Sequence, residues 1–494
     1  MTSDGDPSVA DADADAGADA DPEAVDEALE RVSHGAVVSF GAIGVQRALI
    51  LATNGLLTAA LGIVAYGVYA FAWQSINIVL RFAPLGTFPT IVKYVSAYDE
   101  RGRREVVVGL AYLTTIVSSV VLAAGIGLGV DRINAATVDH PAFPAAFWAL
   151  VLSIPAFALS RAAVFVIRGT ERANEQVTIN RIARPAVRLV AIVIAVAAGH
   201  SVVGVAGAIA VSTVAFAVVV VPYATHLTGL RPRLAGARAE ARTFYDHALP
   251  NALTGVSALL RTRIDILLVG LFLPAAAAAT GIYKIVLVLV NVAVIPLVAF
   301  NQLMPPVASR LHDDDATATL NVVYTTITRL IVTTTVPIVA VQLAYGPELL
   351  ALFGSEFVRG YPVLAVFLAG RLVGNAVGAT GWLLMMTEHQ YARLALDWVL
   401  AVVNVGLSFV FVREFGLIGA ALGTGSAIAV QNVLQIGLLR RFEGLYPFDR
   451  TFVKPVVAGV IALAAMAALR TVLSGIALIV AGTVAGLVVY WLAL

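Results

Sequence analysis

Apolar stretches of about 20 residues, the length that crosses a bilayer as a helix, follow one another along almost the whole chain. Windows of that length fall at 37–61, 64–89, 105–128, 145–167, 177–198, 202–227, 246–271, 279–303, 318–343, 360–383, 392–412, 416–438, 453–472 and 474–493. Only 13% of the residues are charged, about half the share of a soluble domain. The expectation is an all-α polytopic membrane protein of about fourteen transmembrane helices. Helices are required because lipid offers the backbone no hydrogen-bond partner.

Basic residues test this layout. With the N-terminus on the cytoplasmic side, the inside loops carry eighteen Lys and Arg and the outside loops four, namely Arg132, Arg359, Arg413 and Arg470. Such a bias predicts both termini cytoplasmic and the chain in the cell membrane. The outside loops are too short to hold a domain. Residues 1–30 contain eleven acids and no base. The run has no apolar face to bury, so residues 1–36 are expected to be an acidic disordered cytoplasmic tail. It lacks the basic and apolar regions of a secretory signal. The tail leaves 20 acids against 32 bases in the remainder.

Several chemistries are excluded. There is no cysteine, hence no disulfide, thiolate metal site or cysteine nucleophile. Gly-Lys and His-Glu-x-x-His do not occur, so a Walker-type ATPase loop and a zincin site are absent. The seven histidines are scattered near segment ends. No cofactor, metal or nucleic-acid partner is expected, and no enzymatic activity.

A weak repeat runs through the chain. Arg47 and Arg261 are 214 residues apart, as are Gly67-Val68-Tyr69 and Gly281-Ile282-Tyr283. Gly204 to Ala208 and Gly416 to Ala420 are offset by 212, and Thr170-Glu171 and Thr387-Glu388 by 217. A shift of six spans preserves orientation, which predicts two parallel, pseudo-symmetric lobes. The boundaries expected are an N-lobe at 37–229, a cytoplasmic linker at 230–245, a C-lobe at 246–440, and two added helices in 441–494.

Nine bases lie inside these spans: Arg47, Arg81, Arg161, Arg188, Arg261, Arg263, Lys284, Arg329 and Arg371. A charge at mid-bilayer costs about 2.5–3.5 kcal/mol on insertion scales. Only Asp265 and Asp397 are plainly interior acids, so internal pairing cannot neutralise the set. Arg161, Arg188 and Lys284 lie near enough to a span end to reach the interface by snorkelling. The others are deeper, which predicts a wet cationic cavity that receives an anion. Asp265 is either the partner of Arg261, four residues away, or a titratable gate. Asp397 stands as a counter-ion to Arg371 on the preceding span.

Gly67-Val-Tyr69, Gly281-Ile-Tyr283, Leu352-Phe-Gly354-Ser-Glu356-Phe357 and Gly416-Leu-Ile-Gly419-Ala420-Ala421, on a twelve-plus-two layout, resemble the oligosaccharide (O-antigen, Wzx-type) flippases. These belong to the multidrug/oligosaccharidyl-lipid/polysaccharide exporter superfamily. The resemblance implies a V-shaped, alternating-access carrier with a cationic cavity and lateral openings for the lipid tail. It implies arginines on the first two spans of each lobe as substrate ligands, places occupied here by Arg47, Arg81, Arg261 and Arg263. Lys284 stands a turn earlier than the base such proteins often carry in span 8, and Arg329 and Arg371 complete the candidate set. Asp265 and Asp397 are the candidates for ion coupling or gating. The substrate class implied is a lipid-linked oligosaccharide on a polyprenyl or dolichyl phosphate or pyrophosphate, moved to the outer leaflet for surface polysaccharide or glycoprotein synthesis. Membrane lipids and glycosyltransferases of the same pathway are the partners implied, with the carrier acting as a monomer. The alternatives are a multidrug/cation antiporter of the same superfamily, which would want acids in its cavity, and a membrane glycan polymerase or ligase. The latter would need catalytic groups on a sizeable outside loop.

Overall fold

The computed structural model describes residues 22–262, 264–301 and 304–494, and the rest of the expected tail lies outside them. The described residues are helical with short turns and contain no strand. Ten of the helices among them are long and apolar enough to cross a membrane. Two of the ten, Pro22–Phe82 and Gln390–Glu443, break at Gly62 (φ 71°) and Gly416 (φ 59°). At both glycines the chain folds back. Tyr66 donates to Asn54 across the first turn at 2.6 Å. A Cβ on Gly419 would lie 1.7 Å from the Phe411 carbonyl oxygen, and one on Gly423 2.7 Å from Ser408 Cα. Each break thus joins two spans, as expected for 37–61 with 64–89 and for 392–412 with 416–438.

The expected spans at 177–198 and 246–271 are outside the ten. The first is divided by a π turn at Ile179–Ala183, which leaves Arg184–Ala197 as a short helix. The second runs as Ala237–Thr262 and Ile264–Phe272, its first half rich in charged residues. The first described helix starts at Pro22, inside the stretch expected as a tail. Glu23 in its first turn suits the positive end of the helix dipole. Prolines act unevenly. The backbone breaks beside Pro155 and Pro296, whereas Pro222, Pro250 and Pro337 sit within continuous helices.

The two halves of the chain turn in the same way at matching places. Left-handed backbone occurs at Gly62 and Ala275, Asp139 and Gly354, Glu171 and Glu388, Gly199 and Gly416, and Gly229 and Gly444. The separations are 213, 215, 217, 217 and 215 residues. Positive φ at non-glycine residues is uncommon, so the pairing of Glu171 (φ 63°) with Glu388 (φ 64°) gives the Thr-Glu repeat a conformational meaning.

The halves touch at both ends of the molecule. At the end carrying Gly62 and Ala275, a Cβ on Gly67 would lie 1.7 Å from the Ala277 carbonyl oxygen. One on Gly281 would lie 2.9 Å from that of Ile63 and 3.4 Å from Gly67 Cα. The two glycines of the 214-residue repeat therefore face one another across the contact. Tyr66 closes it from the side, edge-on to Phe357 at 6.0 Å. At the opposite, arginine-rich end, Gly86 meets the backbone of Ala248. There Thr90 and His247 are 3.0 Å apart and hydrogen-bonded, and Glu240 accepts from both Tyr98 and Arg103. The last two helices, Val453–Leu469 and Gly475–Ala493, pack on Thr317–Ala344. Tyr490 donates to Thr333 and Tyr345 to Met466.

Candidate functional site: a cationic cavity

Two adjoining cavities lie between Pro22–Phe82, Ile154–Gly169, Arg184–Ala197 with the turn before it, and Val202–Thr228 of the first half and Ala276–Ala293 of the second. The larger has a volume of about 480 Å³ and is lined by Arg47, Arg161, Arg184, Arg188 and Lys284, with Asn54, Asn77, Asn180 and Asn291 among its polar groups. The smaller, about 420 Å³, adds Arg81 and Gln74 and shares Trp73, Asn77, Arg161 and Lys284 with the first. Among the described residues no carboxylate lines either cavity.

Aromatic faces hold three of these arginines. The Arg188 guanidinium lies 3.6 Å from the Trp73 ring centre and also donates to the Tyr69 hydroxyl. Arg184 sits between Phe157 (5.1 Å) and Phe216 (5.3 Å) and donates to Ser160 at 3.4 Å. Arg161 lies 5.3 Å from the Phe88 ring centre. A desolvated cation–π contact contributes about 2 kcal/mol. It orients the cation without cancelling its charge, as a carboxylate would. The Nε atoms of Arg184 and Arg188 are buried and make no hydrogen bond. Such a site keeps donors in reserve for an incoming acceptor.

The cavities gather some expected residues and not others. Arg47, Arg81 and Lys284 are in the walls. Arg161 and Arg188 are there as well, which corrects the interfacial reading of those two and of Lys284. Distance along one's own helix takes no account of a neighbouring indole that offers a partner deeper in. Arg184, which sequence reasoning did not single out, belongs to the same wall. The signal was its four-residue spacing from Arg188, which puts both on one helix face.

Arg329 is elsewhere. It donates to Thr451 at 2.7 Å and lies 3.6 Å from Asp449, tied to the segment before Val453–Leu469 rather than lining either cavity. Arg371 is half-buried and close enough to Tyr283 to act on it electrostatically, outside both walls. Arg261 is in the helix Ala237–Thr262, its side chain outside the described residues, and Arg263 is outside them altogether. Asp397 accepts from Gln431 at 2.9 Å and lies 3.8 Å from Arg393. Arg393, one turn earlier on its own helix, is thus a charged neighbour of Asp397 that sequence reasoning did not name.

Asp265, 2% exposed, accepts from Tyr283 at 2.6 Å and from Thr424 at 3.4 Å. Tyr69 and Tyr283 are equivalent in the 214-residue repeat, yet Tyr69 meets a guanidinium and Tyr283 a carboxylate. Among the described residues five of the six cations in the walls come from the first half and one, Lys284, from the second, so the halves contribute unequally where the chemistry lies.

Solved structures share this fold. The lipid II flippase MurJ in an inward closed conformation superposes with a TM-score of 0.76 at 12% identity, over 92% of this chain and 98% of that one. An inward-facing multidrug resistance MATE family transporter of the MOP superfamily gives 0.66 at 16%, over 81% and 94%. A MOP superfamily transporter from Pyrococcus furiosus, described by the reverse polarity of its binding pocket, gives 0.59 at 15%, over 84% and 96%. The protein thus shares the fold of these solved structures. No curated protein matches it in sequence. Residues 56–360 match the polysaccharide biosynthesis protein family, and the chain belongs to that family.

Proposed function

We propose that the protein is a flippase that moves a lipid-linked oligosaccharide from the cytoplasmic to the outer leaflet of the cell membrane by alternating access. The observation that carries this is the pair of cavities walled by six cations and no carboxylate among the described residues. A phosphate or pyrophosphate headgroup fits such walls, because arginine's planar fork donates two parallel charge-assisted bonds to it. Arg81 is exposed in the last turn of Pro22–Phe82 and takes the phosphate first, with Arg161 and Lys284 beside it and Arg47 further in. The arginine-rich end faces the cytoplasm, and residues 37–229 and 246–440 act as the two moving lobes. The contact of Gly67 with Ala277 then closes the outer side, leaving the cavity on the side from which substrate arrives. Hydroxyls cannot cross lipid unsatisfied, so the glycan travels in the wet space while the tail stays in the bilayer.

A cation antiporter with the same fold would need acids where this chain has arginines. Reconstitution separates the two. Proteoliposomes should flip a fluorescent polyprenyl-phosphate glycan, with the activity lost in Arg81→Gln, and should not move a cationic dye against a proton or sodium gradient. Dye transport without glycolipid flipping would reverse the assignment.

A further inference from the structure

The cations outnumber the charges of one phosphate and are spread in depth, and we infer that the glycan itself carries a carboxylate, a uronic acid or its chemical equivalent, recognised by Arg184 and Arg188. This rests on the flippase reading and narrows its substrate class.

The lipid tail fixes where the phosphate can sit. Its chain must remain in the bilayer, so the phosphate stays near the entrance, where Arg81 is exposed in the last turn of its helix. Trp73 lies eight residues back on that helix, about 12 Å deeper at 1.5 Å per residue. Arg188 is stacked on Trp73 and bonded to Tyr69, with Arg184 one turn away on the same face. A pyrophosphate does not reach that far, because its second charge is adjacent to the first. What reaches Arg188 is sugar.

Neutral sugars are served by the rest of the wall. Trp73 and Phe157 supply ring faces, and Asn77, Asn180, Ser212 and Thr213 supply donors and acceptors. Hydroxyl recognition does not call for two half-buried arginines on one helix face with a third, Arg161, near enough to repel Arg184. Both Nε donors are buried and unused, and no carboxylate is bonded to either arginine among the described residues. A planar carboxylate accepting from such a fork meets the demand. Conversion of the acid to an ester would leave those donors unsatisfied.

The test uses the full-length protein in detergent and in proteoliposomes. The probes are two synthetic polyprenyl-phosphate trisaccharides, identical except that a distal glucose is replaced by glucuronic acid, and the methyl ester of the second. The glucuronate probe should bind about tenfold more tightly than the glucose probe, the worth of one charge-assisted pair, and the ester should lose that advantage. In Arg184→Gln/Arg188→Gln the ratio of the two affinities should fall to near one. The ester comparison needs no variant, so a poorly folded double variant does not rescue the idea. Equal affinity of the wild type for glucose and glucuronate probes overturns the inference and leaves the flippase reading standing. Failure to bind or flip either probe overturns the flippase reading itself.

Discussion

The contact between the halves at Gly67 makes a quantitative demand on conformational balance. In Gly67→Ala the new Cβ would lie 1.7 Å from the Ala277 carbonyl oxygen, where ordinary contact begins near 3.4 Å. The helices Pro22–Phe82 and Ala276–Ala293 must part there by roughly the difference, and neither partner atom is a side chain that can rotate away. Overpacking of this kind costs about 1–3 kcal/mol, charged only to the state in which these ends touch. The population with these ends separated should therefore rise by about 5- to 150-fold. Gly281→Ala is the graded control, since its Cβ meets the Ile63 oxygen at 2.9 Å and Gly67 Cα at 3.4 Å and demands less movement. Cysteine is absent from the chain, so spin labels at the exposed positions 64 and 275 need no background substitutions. Double electron–electron resonance should show a longer-distance population in Gly67→Ala, a smaller one in Gly281→Ala, and flipping slowed in the same order. Folded Gly67→Ala protein with the wild-type distance distribution, or a larger effect from Gly281→Ala, would refute the reasoning.

Other perturbations follow from the same geometry. Arg184→Met should weaken binding of a carboxylate-bearing glycolipid by about tenfold, one charge-assisted pair being lost, while raising the melting temperature in detergent, because a half-buried cation near Arg161 is exchanged for apolar volume; undiminished binding would remove Arg184 from the site. Arg329→Ala should leave the flipping rate within twofold and cost under about 1 kcal/mol, since its partners are Thr451 and Asp449 and not the cavity; a lost activity would return Arg329 to the substrate path. Flipping in proteoliposomes should slow when the inside-negative potential is clamped to zero, each charge moved across the field being worth about 2.3 kcal/mol per 100 mV, and an unchanged rate would remove voltage as the driving force. The Glu240 carboxyl is held below its ordinary pKa first by the hydrogen bond from Arg103 and then by that from Tyr98. Its contribution is therefore complete above the ordinary carboxylate range and is lost only as pH falls through the depressed value. Limited proteolysis of the 229–240 segment should be constant from neutral pH down to that range and rise below it, and a rise near pH 7 would contradict the assignment.

Much of the architecture is legible in the sequence because lipid leaves the backbone few choices. Apolar runs placed the spans, and the fold-backs at Gly62 and Gly416 sit where two windows nearly abut. The Gly-Val-Tyr and Gly-Ile-Tyr pair was visible as a repeat, but spacing alone does not say that Gly67 and Gly281 meet each other; that follows from three-dimensional symmetry. The site was legible only in part. Depth along a helix identified Arg47 and Arg81, whereas it sent Arg188 and Arg161 to the interface, because the aromatic groups that retain them come from segments more than seventy residues distant in the chain. Arg329 was misread for the complementary reason. A polar segment at 446–452 reaches up to it, and nothing in the apolar pattern of span 318–343 records a partner from elsewhere.

The two halves show how one duplicated frame comes to hold charge of one sign. Tyr69 and Tyr283 occupy matching positions, and each hydroxyl is engaged: the first accepts from Arg188, the second donates to Asp265. In the second half the buried carboxylate of Asp265 accepts from the hydroxyls of Tyr283 and Thr424 and from the Ile266 backbone N–H, and lines neither cavity. In the first half the arginines rest on Trp73, Phe157, Phe216 and Phe88. Had they been fixed by carboxylates, the wall would be equally rigid but electrically quiet, and an arriving anion would have to displace an internal one. Aromatic support supplies the orientation and leaves the field in place. A substitution that adds the missing acid therefore tests the principle directly. Ser160→Asp places a carboxylate beside Arg184, whose guanidinium already reaches the Ser160 hydroxyl. The protein should fold at least as stably as the wild type, and lipid-linked glycan binding should weaken by about tenfold, one charge-assisted pair having been satisfied internally. Undiminished binding in that variant would mean that the unneutralised charge of this wall has no part in capturing the substrate.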